Sequence, residues 1–202
     1  MSGTTSNAAV GLSSPSVDAS IAQIRVAATN EASLAFFSSH ADQISQACHV
    51  MAGHFSAGGR LLVYGQEARQ SDVAHVVVEF MHPVVVGKRA LPTLSLSSAR
   101  DPQSRAARGP LETIGRRGDI LMIISDYPLC ETERDLLDRA GTMGMLTIAL
   151  TGATPDHLAP AARFTFAVSS ADACIVQETH EMLYHVLWEL VHVFLEHRVL
   201  AV

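Results

Sequence analysis

Three short stretches of the sequence, 60–64, 119–124 and 145–150, are almost entirely apolar, and they limit the possible folds more than any other feature. Each is followed at once by glycine, serine or threonine. Strands of this kind are buried on both faces, which is typical of a parallel sheet with helices on either side. Amphipathic helical patterns alternate with these stretches along the chain. The sequence therefore predicts an α/β fold, a doubly wound parallel sheet flanked by helices in three layers.

The same periodicity predicts the remaining elements. Apolar residues recur at helical spacing from Ser20 to Phe55, and polar residues within that stretch offer breaks or caps, so we expect two or three N-terminal helices there. Further helices are predicted at 71–81, near 111–115, at 131–142 and, as a long C-terminal helix, at 176–198. Two more strands are predicted at 93–96 and 164–168, and a loop at 100–110.

The domain organisation follows from length and from the composition of the first residues. Residues 1–18 are rich in Ser, Gly and Thr and contain almost no large apolar side chain, so we expect a flexible tail. The remaining residues, 19–202, have the length and apolar content of a single domain.

Charge and cysteine content exclude several classes of protein. A net charge of −6 argues against a nucleic-acid-binding surface. Apolar runs fall short of the ~18–20 residues that a membrane span requires, and no secretory signal is recognisable at the start. Three widely spaced cysteines form neither a disulfide framework nor a zinc motif, which favours a cytoplasmic location.

The ligand site of a doubly wound sheet lies at the carboxyl ends of its strands. In this chain those ends are the turns that begin at Gly65, Ser125 and Thr151. We therefore expect Ser125 and Thr151 to lie near a bound ligand.

Five motifs occur in an order and spacing that resemble a known family. They are Gly58-Gly-Arg-Leu-Leu-Val-Tyr-Gly65, Asp72-x-x-His75-x-x-x-Glu79, Gly118-Asp-Ile-Leu, Gly144-Met-x-Thr-Ile-Ala-Leu-Thr-Gly152 and Gln177-Glu-x-His180-x-x-x-x-His185. Over about residues 20–198 the chain resembles sugar isomerase (SIS) domain proteins of the phosphoheptose isomerase type. The resemblance implies a flavodoxin-like three-layer fold, isomerisation of sedoheptulose 7-phosphate to a heptose phosphate, and a homotetramer with sites at subunit interfaces.

The resemblance also implies a zinc site and an acid/base pair. The zinc ligands would be His75, Glu79, Gln177 and His185, and Glu79 and His185 would move the proton between adjacent carbons. On spacing alone, His75 and Glu79 share one helix face, where they form either a metal site or an ordinary hydrogen bond. Gln177 and His185 lie about 12 Å apart along a helix, so one chain would struggle to bring both to a single ion. We expect the site to be shared between subunits, although Gln177 also suits a helix start.

Two turns depart from the family pattern. The family has Gly-Asn-Gly-Gly-Ser after the first strand and Ser-Thr-Ser-Gly-Asn-Ser after a later one, and both wrap a phosphate. This chain has Gly65-Gln-Glu-Ala-Arg69 and Ser125-Asp-Tyr-Pro-Leu-Cys130, which add acidic side chains and a proline. Arg69 is the one feature of these turns that favours an anion. The candidate substrate-binding residues are Arg69, Asp72, Ser125, Asp126, Thr151 and Gln177.

Three functions remain open from the sequence. The first is a metal-assisted aldose–ketose isomerase of a sugar or sugar phosphate with an altered substrate site. The second is a non-catalytic SIS-domain protein that binds a carbohydrate derivative and regulates or assembles with other proteins. The third is a structural subunit that pairs with an intact paralogue. In the first case Glu79 and His185 act in proton transfer, with zinc polarising the substrate's oxygen atoms.

Overall fold

The computed structural model describes residues 17–83, 85–96, 108–153 and 162–199. Five helices are present in these ranges: α1 (Val17–Ser56), α2 (Gln70–Met81), α3 (Arg108–Ile114), α4 (Glu131–Thr142) and α5 (Ala173–Val199). Five strands accompany them: β1 (Leu61–Gly65), β2 (Thr93–Ser95), β3 (Ile120–Ile124), β4 (Leu146–Gly152) and β5 (Phe164–Val168). A single 3-10 turn, Glu67–Arg69, leads from β1 into α2.

The strands form one parallel sheet in the order β2-β1-β3-β4-β5. This order confirms the doubly wound α/β fold with its long C-terminal helix. The chain proceeds from β1 to β2 on one side, and β3, β4 and β5 lie on the other side. The direction of winding therefore reverses between β1 and β3, which places a ligand-binding crevice at their carboxyl ends.

Helices cover both faces of the sheet, which explains why its central strands are apolar throughout. Alternate side chains of β1 and β3, including Leu61 and Ile120, join a core with α1, α2 and α5. The intervening side chains, including Leu62 and Leu121, join a second core with α3 and α4. α2 and α5 thus lie on the same face, and this arrangement brings their polar residues together.

The N-terminal part of the chain differs from the prediction of two or three helices. α1 is one continuous helix of 40 residues. Ser33 and His40 are among the polar residues at which the sequence predicts a helix break, but both have partners that leave the helix intact. The Ser33 hydroxyl lies 3.1 Å from that of Thr179 on α5. His40 Nδ1 lies 2.9 Å from the carbonyl of Phe36, one turn back in the same helix.

Two other predicted segments fall largely outside the described residues. The predicted tail 1–18 is described only from Val17, which begins α1. The predicted loop 100–110 is described only from Arg108, where α3 begins, so the helix starts earlier than the predicted 111. None of the helices in the described ranges is long and apolar enough to cross a membrane.

Candidate active site between α2 and α5

A cluster of possible metal ligands lies where α2 packs beside α5. His75 of α2 meets Glu181 and His185 of α5, and one ligand atom from each lies within 4.8 Å of the others. The Nε2 atoms of His75 and His185 are 3.2 Å apart. Glu181 Oε1 lies 3.7 Å from the other ring nitrogen of His75, Nδ1. Glu181 and His185 are one helical turn apart, so both point from the same face of α5.

Tyr184 of α5 orients the imidazole ring of His75 through a contact with its Nδ1 atom. Its side chain is fully buried, and its hydroxyl lies 3.0 Å from His75 Nδ1. Burial, followed by the negative charges of Glu181, Asp72 and Glu79, raises the pKa of Tyr184. The phenol therefore stays protonated, and in its hydrogen bond with His75 Nδ1 the tautomer of the imidazole decides which group donates.

The structure separates the four sequence-predicted ligands into three places. His75 and His185 are together. Gln177 lies two turns before His185 on α5, where its amide nitrogen donates to Asp72 Oδ1 at 3.3 Å. Glu79 lies one turn beyond His75 on α2, and within the described residues its carboxylate does not join the cluster around His75.

Glu181 is the residue that sequence reasoning missed. It lies midway between Gln177 and His185 at four-residue steps, so helical spacing alone places it on their face. An acidic residue at such a position is common on the surface of any helix, and only the packing of α2 beside α5 distinguishes it.

A second polar cluster surrounds Arg69, at the start of α2. The guanidinium lies between two carboxylates, with Nη1 3.0 Å from Asp72 Oδ2 and Nε 3.0 Å from Asp126 Oδ2. Neither N–H points directly at its oxygen, so these contacts are ion pairs more than hydrogen bonds. Nη2 donates to Gln177 Oε1 at 3.5 Å. Arg69 is 12% exposed, and burial raises the pKa of both aspartates despite the arginine.

The Arg69 cluster forms one wall of a cavity of about 270 Å³ at the carboxyl ends of β1 and β3. The cavity therefore occupies the point where the winding reverses. Its lining comprises Gln66, Ala68, Arg69, Ile124, Ser125, Asp126, Tyr127, Pro128, Cys130 and Glu133. The predicted substrate-binding residues Arg69, Ser125 and Asp126 are brought together here.

Thr151 is placed differently from Ser125. Its side chain is fully buried, and its carbonyl accepts a hydrogen bond from His180 Nε2 at 3.2 Å. Burial lowers the pKa of His180 to about 4, so the imidazole is neutral at physiological pH. The next residue, Gly152, allows the turn after β3 to lie against the end of β4, because a Cβ at this position would be 2.1 Å from the carbonyl oxygen of Asp126.

The parallel sheet, its helical layers and a ligand crevice at the reversal point define a SIS-type α/β domain. No family model matches the chain. It is 31% identical over 172 residues to the phosphoheptose isomerase of Aquifex aeolicus, covering 80% of this chain and 89% of that protein. It is 28% identical over 175 residues to the phosphoheptose isomerase of Desulfovibrio desulfuricans, covering 82% and 83%. The chain belongs to the phosphoheptose isomerase family.

Structural comparison agrees on the fold. The solved phosphoheptose isomerase of Francisella tularensis superposes with a TM-score of 0.77 at 19% identity, covering 88% of this chain and 99% of that one.

Proposed function

We propose that this protein is a metal-assisted aldose–ketose isomerase of a sugar or sugar phosphate, with a substrate site that differs from that of its relatives. The observation that carries the proposal is the cluster of His75, Glu181 and His185 between α2 and α5. Imidazole and carboxylate groups are the ligands of catalytic zinc, which keeps a further position for substrate. Family membership supports the same class of reaction.

The donor set around His75 fits zinc. Two nitrogen ligands of a tetrahedral zinc are about 3.3 Å apart, given Zn–N distances near 2.0 Å. The Nε2 atoms of His75 and His185 are 3.2 Å apart. The other nitrogen of His75, Nδ1, lies 3.0 Å from the Tyr184 hydroxyl, which can accept the N–H that a metal-bound imidazole carries there.

Aldose–ketose isomerisation moves a proton between the two carbons that exchange the carbonyl group. Zinc, when bound, would polarise the carbonyl and hydroxyl oxygens of the substrate. We assign the proton transfer to Glu79 and His185, the pair that the resemblance implies: Glu79 lies one turn from His75 on α2, and His185 of α5 contacts His75. Tyr184 holds the ring of His75 in place while this occurs.

We also propose that the active unit is a homotetramer with sites at subunit interfaces. Gln177 bonds to Asp72 and Arg69 within its own chain, so a ligand set that includes it would draw on a second subunit. Apolar side chains on the first half of α1 are available for such contacts: Ile21, Ile24, Val26 and Leu34 are each more than half exposed. We place residues 19–202 in one domain and, on its three free cysteines, the protein in the cytoplasm.

The first experiment measures metal content by elemental analysis of the purified protein. We expect about one zinc per chain in the wild type and its loss in the His185→Ala variant. His197→Ala is the matched control, because His197 is exposed near the end of the same helix. Equal zinc in the wild type and in His185→Ala would contradict a site at this cluster.

The second experiment separates ligands from proton-transfer groups. Glu79→Gln and Glu181→Gln proteins are assayed for zinc content and for interconversion of aldoses and ketoses, with and without phosphate groups. If Glu79 is the proton-transfer group, its variant keeps zinc and loses about 10²–10⁴-fold in turnover. If Glu181 is a ligand, its variant loses zinc first.

The Arg69 cluster favours a second candidate function, a non-catalytic protein that binds a carbohydrate derivative. Its support is that Asp72 and Asp126 neutralise Arg69, the one arginine among the described residues that line the cavity, which removes binding energy for a sugar phosphate. Turnover of any sugar by the wild type and its absence in Glu79→Gln would exclude this alternative.

A further inference from the structure

The cavity at the ends of β1 and β3 contains an arginine, but its charge is already neutralised inside the protein. The guanidinium of Arg69 lies 3.0 Å from a carboxylate oxygen of Asp72 and 3.0 Å from one of Asp126. Asp72 is 3% exposed and Asp126 11%, so solvent screens these contacts weakly. An anion that approached Arg69 would therefore meet two nearby negative charges.

The second anion-attracting feature of the cavity is the start of α4, and it too is occupied from within. Helix N-termini bind anions through their free N–H groups. Here the Glu133 carboxylate accepts a hydrogen bond from the backbone N–H of Cys130 at 2.9 Å. Pro128, in the same turn, has no N–H to offer. The carboxylate of Glu133 thus stands where an external anion would bind.

Among the described residues in and beside this cavity there is one guanidinium and three carboxylates: Asp72 and Asp126 pair with Arg69, and Glu133 bonds to Cys130. Asp126 Oδ1 is buried and has no hydrogen-bond partner among the described residues, so this carboxylate keeps spare acceptor capacity beside the cavity. The other polar lining groups, those of Gln66, Ser125 and Tyr127, are neutral. The surroundings suit a cation that donates hydrogen bonds.

From this arrangement we infer that the cavity receives a protonated amino group at the end of a polyhydroxylated ligand and excludes a phosphate in that position. The inference deepens the proposed function and rests on it, since it names the class of substrate for the same site. Alkylamines are protonated at neutral pH, so the end group carries the charge that the cavity lacks.

The test compares three linear polyols that differ only at carbon 1: 1-amino-1-deoxy-D-glucitol, D-glucitol and D-glucitol 1-phosphate. None has a carbonyl group, so none can be isomerised, and binding is measured apart from turnover. The readout is the rate at which neutral iodoacetamide alkylates Cys130, an exposed residue in the cavity wall, followed by peptide mass spectrometry.

The two other cysteines are internal controls. Cys174 is exposed and lies outside the cavity lining, so it reports any general effect of the ligands on the reagent. Cys48 is buried, and burial raises the pKa of its thiol to about 12, so it reacts only when the protein unfolds.

We expect the amino polyol to protect Cys130 at a concentration about tenfold lower than D-glucitol, and the phosphate to protect it least. Cys174 should react at the same rate in all samples. Tightest binding by the phosphate, equal protection by all three ligands, or no protection by any of them would each overturn the inference.

Asp126→Asn tests the assigned residue. It removes one carboxylate from Arg69, so we expect about tenfold weaker protection by the amino polyol and about tenfold stronger protection by the phosphate. Asp138→Asn, on an exposed position of α4, makes the same change in net charge and should alter neither value. The inference would be overturned if the ligands protected Cys130 in Asp126→Asn at the same concentrations as in the wild type while Cys48 stayed unreactive. If Cys48 becomes reactive, Glu133→Gln replaces that variant with the same expected direction.

The outcome also separates this inference from the proposed function. Zinc-dependent isomerisation together with tightest protection by the phosphate would support the function and overturn the inference. Protection in the expected order without turnover of any sugar would support the inference and contradict the isomerase.

Discussion

Replacing Asp119 with alanine should destabilise the protein by about 3–4 kcal/mol, because this side chain joins the beginnings of β1 and β3. The residue is 3% exposed. Its Oδ1 accepts the backbone N–H of Arg60 at 2.9 Å, and its Oδ2 accepts that of Arg116 at 3.0 Å. The guanidinium of Arg60 adds contacts of 2.6 and 3.3 Å.

The magnitude follows from what alanine leaves behind. A backbone N–H without a partner costs up to about 1–3 kcal/mol where water cannot reach it, and two part-buried N–H groups lose theirs here. Removing one partner of a buried ion pair costs about 3–5 kcal/mol. These costs overlap, and the Arg60 side chain is 23% exposed and still donates to the carbonyl of Ile114 at 2.6 Å. The expected loss therefore lies at the lower end of the ion-pair range.

The assay is urea unfolding followed by circular dichroism for the wild type, Asp119→Ala, Arg60→Met and the double variant. The coupling energy between the two positions should exceed about 1 kcal/mol, because they are in direct contact. Asp138→Ala, on an exposed position of α4, should stay within about 0.5 kcal/mol of the wild type. A loss below about 1 kcal/mol in Asp119→Ala would refute the reasoning.

Two further predictions concern the ends of the strands. Between its folded pKa of about 4 and the ordinary value of 6.5, His180 binds a proton only in the unfolded chain, so its contribution to the free energy of unfolding falls as pH falls. The decrease from about pH 7.5 to about pH 5 is about 2 kcal/mol. In His180→Gln, the free energy of unfolding measured with urea should lack this part of the decrease. A decrease equal to that of the wild type would contradict the role given to His180. Gly152→Ala should cost at least about 2 kcal/mol and alter the alkylation rate of Cys130, since its Cβ would lie 2.1 Å from the Asp126 carbonyl oxygen. Gly141→Ala, with open space around the new Cβ in α4, should be neutral or stabilising, and similar effects of both changes would refute the steric argument.

The strands of the sheet could be predicted from the sequence because the pattern that defines each strand lies within a few consecutive residues. Both faces of β3 and β4 are covered by helices, so these strands are apolar along their length, and turn residues mark their ends. The predicted 131–142 and 164–168 coincide with α4 and β5. In these segments each local preference agrees with the tertiary environment.

The length of α1 could not be predicted in this way. Ser33 interrupts the apolar pattern, and a local interpretation takes it as a helix boundary. Its hydroxyl instead meets Thr179 at 3.1 Å, from a helix distant in the sequence. Likewise, the ion pair between Arg25 and Glu178 at 3.0 Å joins α1 to the first turns of α5. A polar residue inside a helix that packs on another helix is indistinguishable, from sequence alone, from one that ends it.

The candidate site, too, could be predicted only in part from the sequence. His75 and His185 were found through motif and resemblance, but the acidic partner in their cluster is Glu181. Whether Glu79 or Glu181 faces His75 depends on how α2 and α5 cross. That crossing is set by apolar contacts with the sheet and not by the polar residues themselves.

The charge of the cavity depends still more on contacts between distant segments. From sequence, Arg69 favours an anion, and of its two carboxylate partners only Asp72 is close along the chain. Asp126 comes within 3.0 Å because β1 and β3 pair with Gly65 opposite Ile124, which sets the two following turns side by side. The cavity is lined by the turns after β1 and β3 and by the start of α4, whereas the cluster around His75 is built from α2 and α5. The end group that the cavity accepts can therefore change without any change in the donor set around His75.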